Sequence, residues 1–400
     1  MRRSVFVGAL LVGAVIGYTA TVALGGQASV PPSATPLPGP ATTGESLEPT
    51  VTTSAPTADA AGATSTSQPD AFTTYLLWST GGLPRALTED LVATFDQVSL
   101  VRGDVVELDA GDAVVPLDAL AVDPASHQPF DPAGLLDPLK PGTVILGETS
   151  ARLRRVAAGD LLTFGDTGYE VVATVPDETV AAAEIVFAVT DSSHPVSTVR
   201  YALVRTDIPR PEFEATVRSM YDGPAPMRIR SEGETPWLRH GDAVLPQALI
   251  KQALGEFSYT NRVGSVFEQS RTFRDEWIVT AEVPILGEVV CHRIVTDMLI
   301  GAMSQLVEEG LSHLVDPNGF AGCWNPRFTR TVTGSSAGLS RHSWGAAVDI
   351  NAPTNPYGSD GTQDPRLVAI MQSWGFTWGG DWLVPDPMHF EYGGEPQADR

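Results

Sequence analysis

The sequence predicts an α+β protein: a C-terminal domain with a small antiparallel sheet and flanking helices, preceded by a mixed β-rich α/β middle domain and a disordered stalk. Three observations predict it. The stretch VAAGDLLTFGDTGYEVVATV (Val156–Val175) partly alternates polar and apolar residues on either side of Gly165–Asp166, the pattern of two paired strands. Two later segments carry apolar residues at helical spacing and end on glycine. Between Gln27 and about Asp70 the chain is almost wholly Pro, Ser, Thr, Ala and Gly, a composition that cannot bury a core.

At 400 residues the chain is long enough for two folded units. Residues 1–26 read as a targeting segment. Arg2 and Arg3 precede 20 uncharged residues, Val5 to Leu24, long enough to span a hydrocarbon core, and the positive flank places everything that follows outside the membrane. An uncleaved anchor is the favoured reading; Gly25, Gly26 and Ala28 leave a cleaved signal peptide, and so a secreted protein, open. Residues 27–70 form the stalk. The middle domain, 71–234, adds a helix from Leu87 capped at Thr88 and two further strands, AEIVFAVT and VRYALVRT. It shows no obvious chemical site, and His127 and His194, beside Pro-containing loops, read as surface residues.

Composition narrows the function classes. Lys and Arg number 25 against 48 Asp and Glu, a net charge of -23, which argues against binding a nucleic-acid backbone. The two cysteines, Cys291 and Cys323, can pair in an oxidising compartment; two buried thiols are the other reading. Standing 32 positions apart, they lack the close pairing of zinc-ligating cysteines.

In the C-terminal domain, 237–395, Val295, Met298, Leu299, Ala302 and Leu306 mark one helix that stops at Gly310. A second has Asp364 as N-cap, Pro365 at its first position, Leu367, Ile370, Met371 and Trp374 on one face, and Gly375 at its end. Both read as core, and His240, His292 and His313 as structural residues. The chemistry lies in SRHSWGAAVDI (Ser340–Ile350) and DPMHFEY (Asp386–Tyr392): two histidines and two carboxylates near glycine and proline bends. A catalytic zinc site needs three protein ligands, an open position for water and a carboxylate to handle the proton. His342 and Asp349 are seven apart, so on one regular strand they would face opposite sides. A kink at Gly345 would let both reach one ion. His389 heads a short strand, HFEY, after the bend set by Pro385 and Pro387, and Asp386 sits on that bend.

Two resemblances follow from quoted motifs. LGETSARLRRVAAGDLLTF and EVVATVPD in the middle domain are distantly similar to the extracytoplasmic core module of MacB-type transporter permeases. A permease needs several spanning helices and this sequence offers one, so the domain reads as a spacer or interaction module whose protein partners are unknown. From Val283 to Gly393 the chain resembles VanY-type D-alanyl-D-alanine carboxypeptidases, of the wider group that includes lysostaphin-like peptidases and Hedgehog signalling domains. The likeness rests on CWNPRFTR, LSRHSWGAAVDIN, WGGDW and DPMHFEY, in that order. It implies that His342, Asp349 and His389 ligate zinc and that Asp386, where some relatives carry Glu, is general base and acid. It also implies an arginine that polarises the substrate carbonyl or binds its carboxylate. Arg327 and Arg330 both qualify, with Arg327 preferred. Glu391, on the same side of its strand as His389, reads as holding a ligand or packing. The implied function is a zinc-dependent peptidase acting on peptidoglycan stem peptides, foremost as a D-alanyl-D-alanine carboxypeptidase. An L-alanyl-D-glutamate endopeptidase of the same fold and a non-catalytic zinc-binding module are the alternatives.

Overall fold

A computed structural model of the chain describes residues 72–394 except 182, 191–193, 222, 224, 233, 235–244 and 330–337. The expected anchor and stalk, the boundary near Trp237, His240 and Arg330 lie outside the described residues. Among the described residues no helix is long and apolar enough to cross a membrane.

The β-rich part runs β1 (Thr73–Ser79), α1 (Arg85–Thr94), β2 (Gln97–Ala110), β3 (Ala113–Val122), α2 (Pro124–His127), β4 (Thr143–Gly147), α3 (Glu148–Arg154), β5 (Leu161–Phe164), β6 (Thr167–Val175), β7 (Ile185–Ala188), β8 (Val199–Thr206), α4 (Arg210–Met220) and β9 (Met227–Ser231). Its strands order as β5-β6-β4-β7-β3-β2-β8-β1-β9. The β3–β7 and β4–β6 pairs are parallel, while β2–β3, β2–β8 and β5–β6 are antiparallel. The alternation read around Gly165 is the β5–β6 hairpin, which buries Leu162, Phe164, Tyr169 and Val171. Two expectations change here. Helix α1 starts at Arg85, behind Pro84, and the Thr88 hydroxyl donates to the Arg85 carbonyl instead of capping the helix end. Burial of Leu87, Thr88 and Leu91 sets which face turns inward, and that outweighs the capping preference of threonine. His127 is not a surface residue. Asp123 caps a short helix that folds the ring inward, to 7 % exposure, where Nδ1 lies 2.8 Å from the Ser99 hydroxyl. Burial lowers its pKa to about 4 against the pull of Asp131.

The C-terminal part continues with α5 (Gln247–Leu254), β10 (Tyr259–Val263), β11 (Val266–Gln269), α6 (Arg271–Trp277), β12 (Ile278–Val283), β13 (Gly287–His292), α7 (Arg293–Glu308), β14 (Ala347–Asp349), α8 (Pro365–Ser373), β15 (Phe376–Trp378) and β16 (His389–Tyr392). The small antiparallel sheet is β14-β16-β15. Helices α7 and α8 follow the predicted spacing: Val295, Met298, Leu299, Ala302, Leu306, Leu367, Ile370 and Met371 all enter one core around Trp344 and Phe390. Asp364 caps α8 through the Arg366 N–H, as its position predicts. The two cysteines form a disulfide that ties β13 to the Cys323 segment.

The two parts share backbone and charge. Tyr259 in β10 pairs with Val114 in β3, so the β10–β11 hairpin extends the large sheet to 11 strands. Beside this seam Glu184, fully buried, bonds Lys251 at 2.8 Å and Gln247 at 2.6 Å, and is also paired with Arg154. Glu256 pairs with both Lys251 and Arg154. Burial works against the Glu184 charge, but Lys251 and Arg154 outweigh it and hold the carboxyl at about 2. Leu383, from the loop before β16, packs against the core formed by Leu76, Trp78, Leu120, Ile145 and Val186.

Candidate metal centre

Three side chains converge because two local devices aim them at one point. The β14–β16 register sets Asp349 opposite His389. His342 sits on a single 3-10 turn, Arg341–Trp344, and Gly345 then takes φ +62 to redirect the chain into β14. A Cβ at Gly345 would fall 2.5 Å from the His292 nitrogen, so this kink admits glycine alone. Nε2 of His342 lies 3.3 Å from Asp349 Oδ2, and Nδ1 of His389 lies 3.0 Å from Asp349 Oδ1. One ligand atom from each residue falls within 4.8 Å of the others, a group able to hold a metal ion.

The far side of each imidazole is occupied. The Cys323 carbonyl, which can only accept, lies 2.7 Å from His342 Nδ1, so that nitrogen carries the proton and Nε2 offers its lone pair to the cluster. Glu391 Oε2, on a residue 1 % exposed, lies 3.4 Å from His389 Nε2, which leaves Nδ1 facing Asp349. The donor set fits a divalent first-row cation: two imidazole nitrogens and a carboxylate, each imidazole backed by an acceptor. In the metal-free protein a proton serves in place of the cation. Burial disfavours a charged His389, yet its bonds to Asp349 and Glu391 prevail and push it up to about 10. Burial likewise opposes the Asp349 carboxylate, and the two histidines overcome it, holding its pKa far below the usual range.

Asp386, in the loop before β16, lies within electrostatic reach of this cluster. Its Oδ1 is buried and makes no hydrogen bond. Burial raises its pKa; His389, His342 and Arg327 pull the other way, and Asp349 adds to the rise. The loop folds back so tightly that a Cβ on Gly379 would lie 2.6 Å from the Asp386 carbonyl oxygen. The Asp386 N–H donates to the Gly379 carbonyl at 2.9 Å, and the Trp382 ring lies 5.2 Å from the His389 ring. The Arg327 guanidinium donates to the Ser340 hydroxyl at 3.0 Å, and its backbone N–H to that of Ser343 at 3.0 Å. The motif residues His342, Asp349, His389 and Asp386 are thus together, with the Arg327 charge felt at Asp386. Sequence reasoning missed the Cys323 carbonyl and the Gly379 notch. Both lie inside quoted motifs, CWNPRFTR and WGGDW, which was the available signal.

Two imidazoles and a carboxylate around one point form a donor set that could hold one metal ion. Residues 333–392 match the family model described as D-alanyl-D-alanine carboxypeptidase, which supports a peptidase of that kind. The match contains His342, Asp349, Asp386 and His389, and Arg327 precedes it. Among solved structures the chain is similar to the periplasmic region of MacB from Actinobacillus actinomycetemcomitans, at 11 % identity over 39 % of this chain and 87 % of that one, TM-score 0.29. It is similar also to the extracellular domain of the ABC-type transporter YknZ from Gram-positive bacteria, at 10 % identity over 36 % and 88 %, TM-score 0.27.

Proposed function

We propose that this protein is a zinc-dependent peptidase of peptidoglycan stem peptides, acting outside the membrane as a D-alanyl-D-alanine carboxypeptidase. The observation that carries the reading is the paired arrangement of the histidines: each has one nitrogen committed to an acceptor and the other turned to Asp349. His342, Asp349 and His389 would hold the ion. Zinc there would supply a water acidified to a pKa of about 7 and a positive charge for the carbonyl oxygen. Asp386 takes the proton of the water that attacks the scissile carbonyl and passes it to the leaving amine. Its raised pKa and its unbonded Oδ1 suit both transfers. Arg327 draws the carbonyl oxygen, or the terminal carboxylate of a substrate, by charge.

The location rests on the apolar segment in residues 1–26 and on the disulfide, which persists in an oxidising compartment. A stalk of the composition of residues 27–70 would let an anchored enzyme search a volume of wall. The test is mass spectrometry of pentapeptide muropeptides incubated with the zinc-loaded full chain, beside Asp386→Ala. Loss of one terminal alanine, absent in a variant that still binds zinc, is the expected result. Cleavage after the first L-alanine would mark an endopeptidase instead, and stoichiometric zinc without any cleavage would mark a binding module.

A further inference from the structure

We infer that the β-rich part, residues 73–231, is a wall of the peptidase site that positions Asp386 and Arg327 while leaving the metal ligands alone. The inference rests on the peptidase reading, and it deepens it. The ligands are anchored within the C-terminal core: Asp349 and His389 by the β14–β16 pair, His342 by the carbonyl of disulfide-bonded Cys323. The other two groups each connect to the β-rich part through an intermediary, Asp386 through Leu383 and Arg327 through the β10–β11 hairpin.

Asp386 comes three residues after Leu383, the side chain that packs on the core of Leu76, Trp78 and Leu120. Backbone bonds hold the inner side of that loop, from Gly358 N–H to the Pro385 carbonyl at 2.7 Å and from Trp378 Nε1 to the Pro387 carbonyl at 2.8 Å. With Asp386 Oδ1 lacking a hydrogen bond, the loop backbone and Leu383 set where the carboxyl sits. Arg327 is reached from the other side. It bridges Val266 in β11, and the next residue, Phe328, donates to the Ser265 carbonyl at 2.7 Å. The β10–β11 hairpin that carries these groups is in turn fixed to the β-rich part. Tyr259 pairs with Val114, the Tyr259 hydroxyl bonds Glu107, and Arg262 pairs with Glu107 at 3.0 Å. Leu383 and Glu107 are therefore positioning residues, acting on the proton-handling acid and on the arginine respectively.

The separation of ligands from catalytic groups sets the experiment. Full-chain Leu383→Ala should bind zinc with unchanged stoichiometry and affinity. Its backbone hydrogen exchange over 379–388 should rise at least tenfold, with that of 342–349 unaltered. On stem peptides its kcat should fall about tenfold. Leu383→Met should restore both exchange and kcat. Glu107→Ala should loosen exchange over 259–269 and lower kcat by several-fold, again with zinc retained. Unchanged exchange over 379–388 in Leu383→Ala, or loss of zinc together with turnover, overturns the inference. An inactive wild-type protein strikes the peptidase reading alone, because exchange and zinc binding still decide the positioning.

Discussion

His389 is clasped by Asp349 on one nitrogen and Glu391 on the other, and this fixes how the metal-free protein responds to pH. Its folded-state pKa of about 10 lies above the unfolded value of about 6.5. The charged ring therefore stabilises the metal-free fold fully below about pH 6.5, and that stability is lost as pH rises through about 10. A cation displaces the same proton, so metal affinity should climb with pH and binding should release a proton. Thermal melts of metal-free and zinc-loaded protein at pH 6 and pH 9 should diverge more at pH 9. Glu391→Gln keeps the shape but weakens the acceptor behind His389, and should lower zinc affinity by roughly 10–100-fold in a competition titration. Unaltered affinity would reduce Glu391 to packing. This much was largely legible in the sequence. The same-side spacing of His389 and Glu391 on HFEY follows from strand geometry, whereas the Cys323 carbonyl has no side-chain signature and could not be found.

At the scale of elements, the loop joining β15 to β16 is governed by its glycines. Gly379→Ala inserts a methyl 2.6 Å from the Asp386 carbonyl oxygen. The clash should cost about 1–3 kcal/mol and displace the acid. Turnover should fall further than zinc affinity, as parallel kinetic and metal titrations would show. Elements with a strong period were read correctly. The face of α7 that carries Val295, Met298, Leu299, Ala302 and Leu306 is buried as its spacing requires. For α1 the Thr88 capping signal points past the true start, because it sits inside the first turn, where tertiary burial decides. Strands as short as β14 and β15 have too few residues to show any period, so only the motif around them marked the sheet.

For the molecule as a whole, the seam between its two parts was invisible in the sequence. Glu184 and Lys251 stand 67 positions apart and Arg154 and Glu256 stand 102 apart, and no pattern links residues at such distances. Glu184→Gln would take from Lys251 and Arg154 the fully buried one of the two anions they share, leaving only the partly exposed Glu256. The loss should be about 1–3 kcal/mol in denaturant unfolding, below the cost of a buried charge left wholly unpaired. A loss under 1 kcal/mol would mean that Glu256 alone suffices for both cations. The sheet order also escaped reading, since hydrophobic pattern sets a strand's faces and not its neighbours. The cluster carries a consequence for descent. Each part brings one acid and one base to it, Arg154 with Glu184 and Lys251 with Glu256, so the charge is balanced within each part as well as across the seam. A relative that carries the β-rich part alone should therefore keep a base at the position of Arg154 wherever it keeps an acid at that of Glu184.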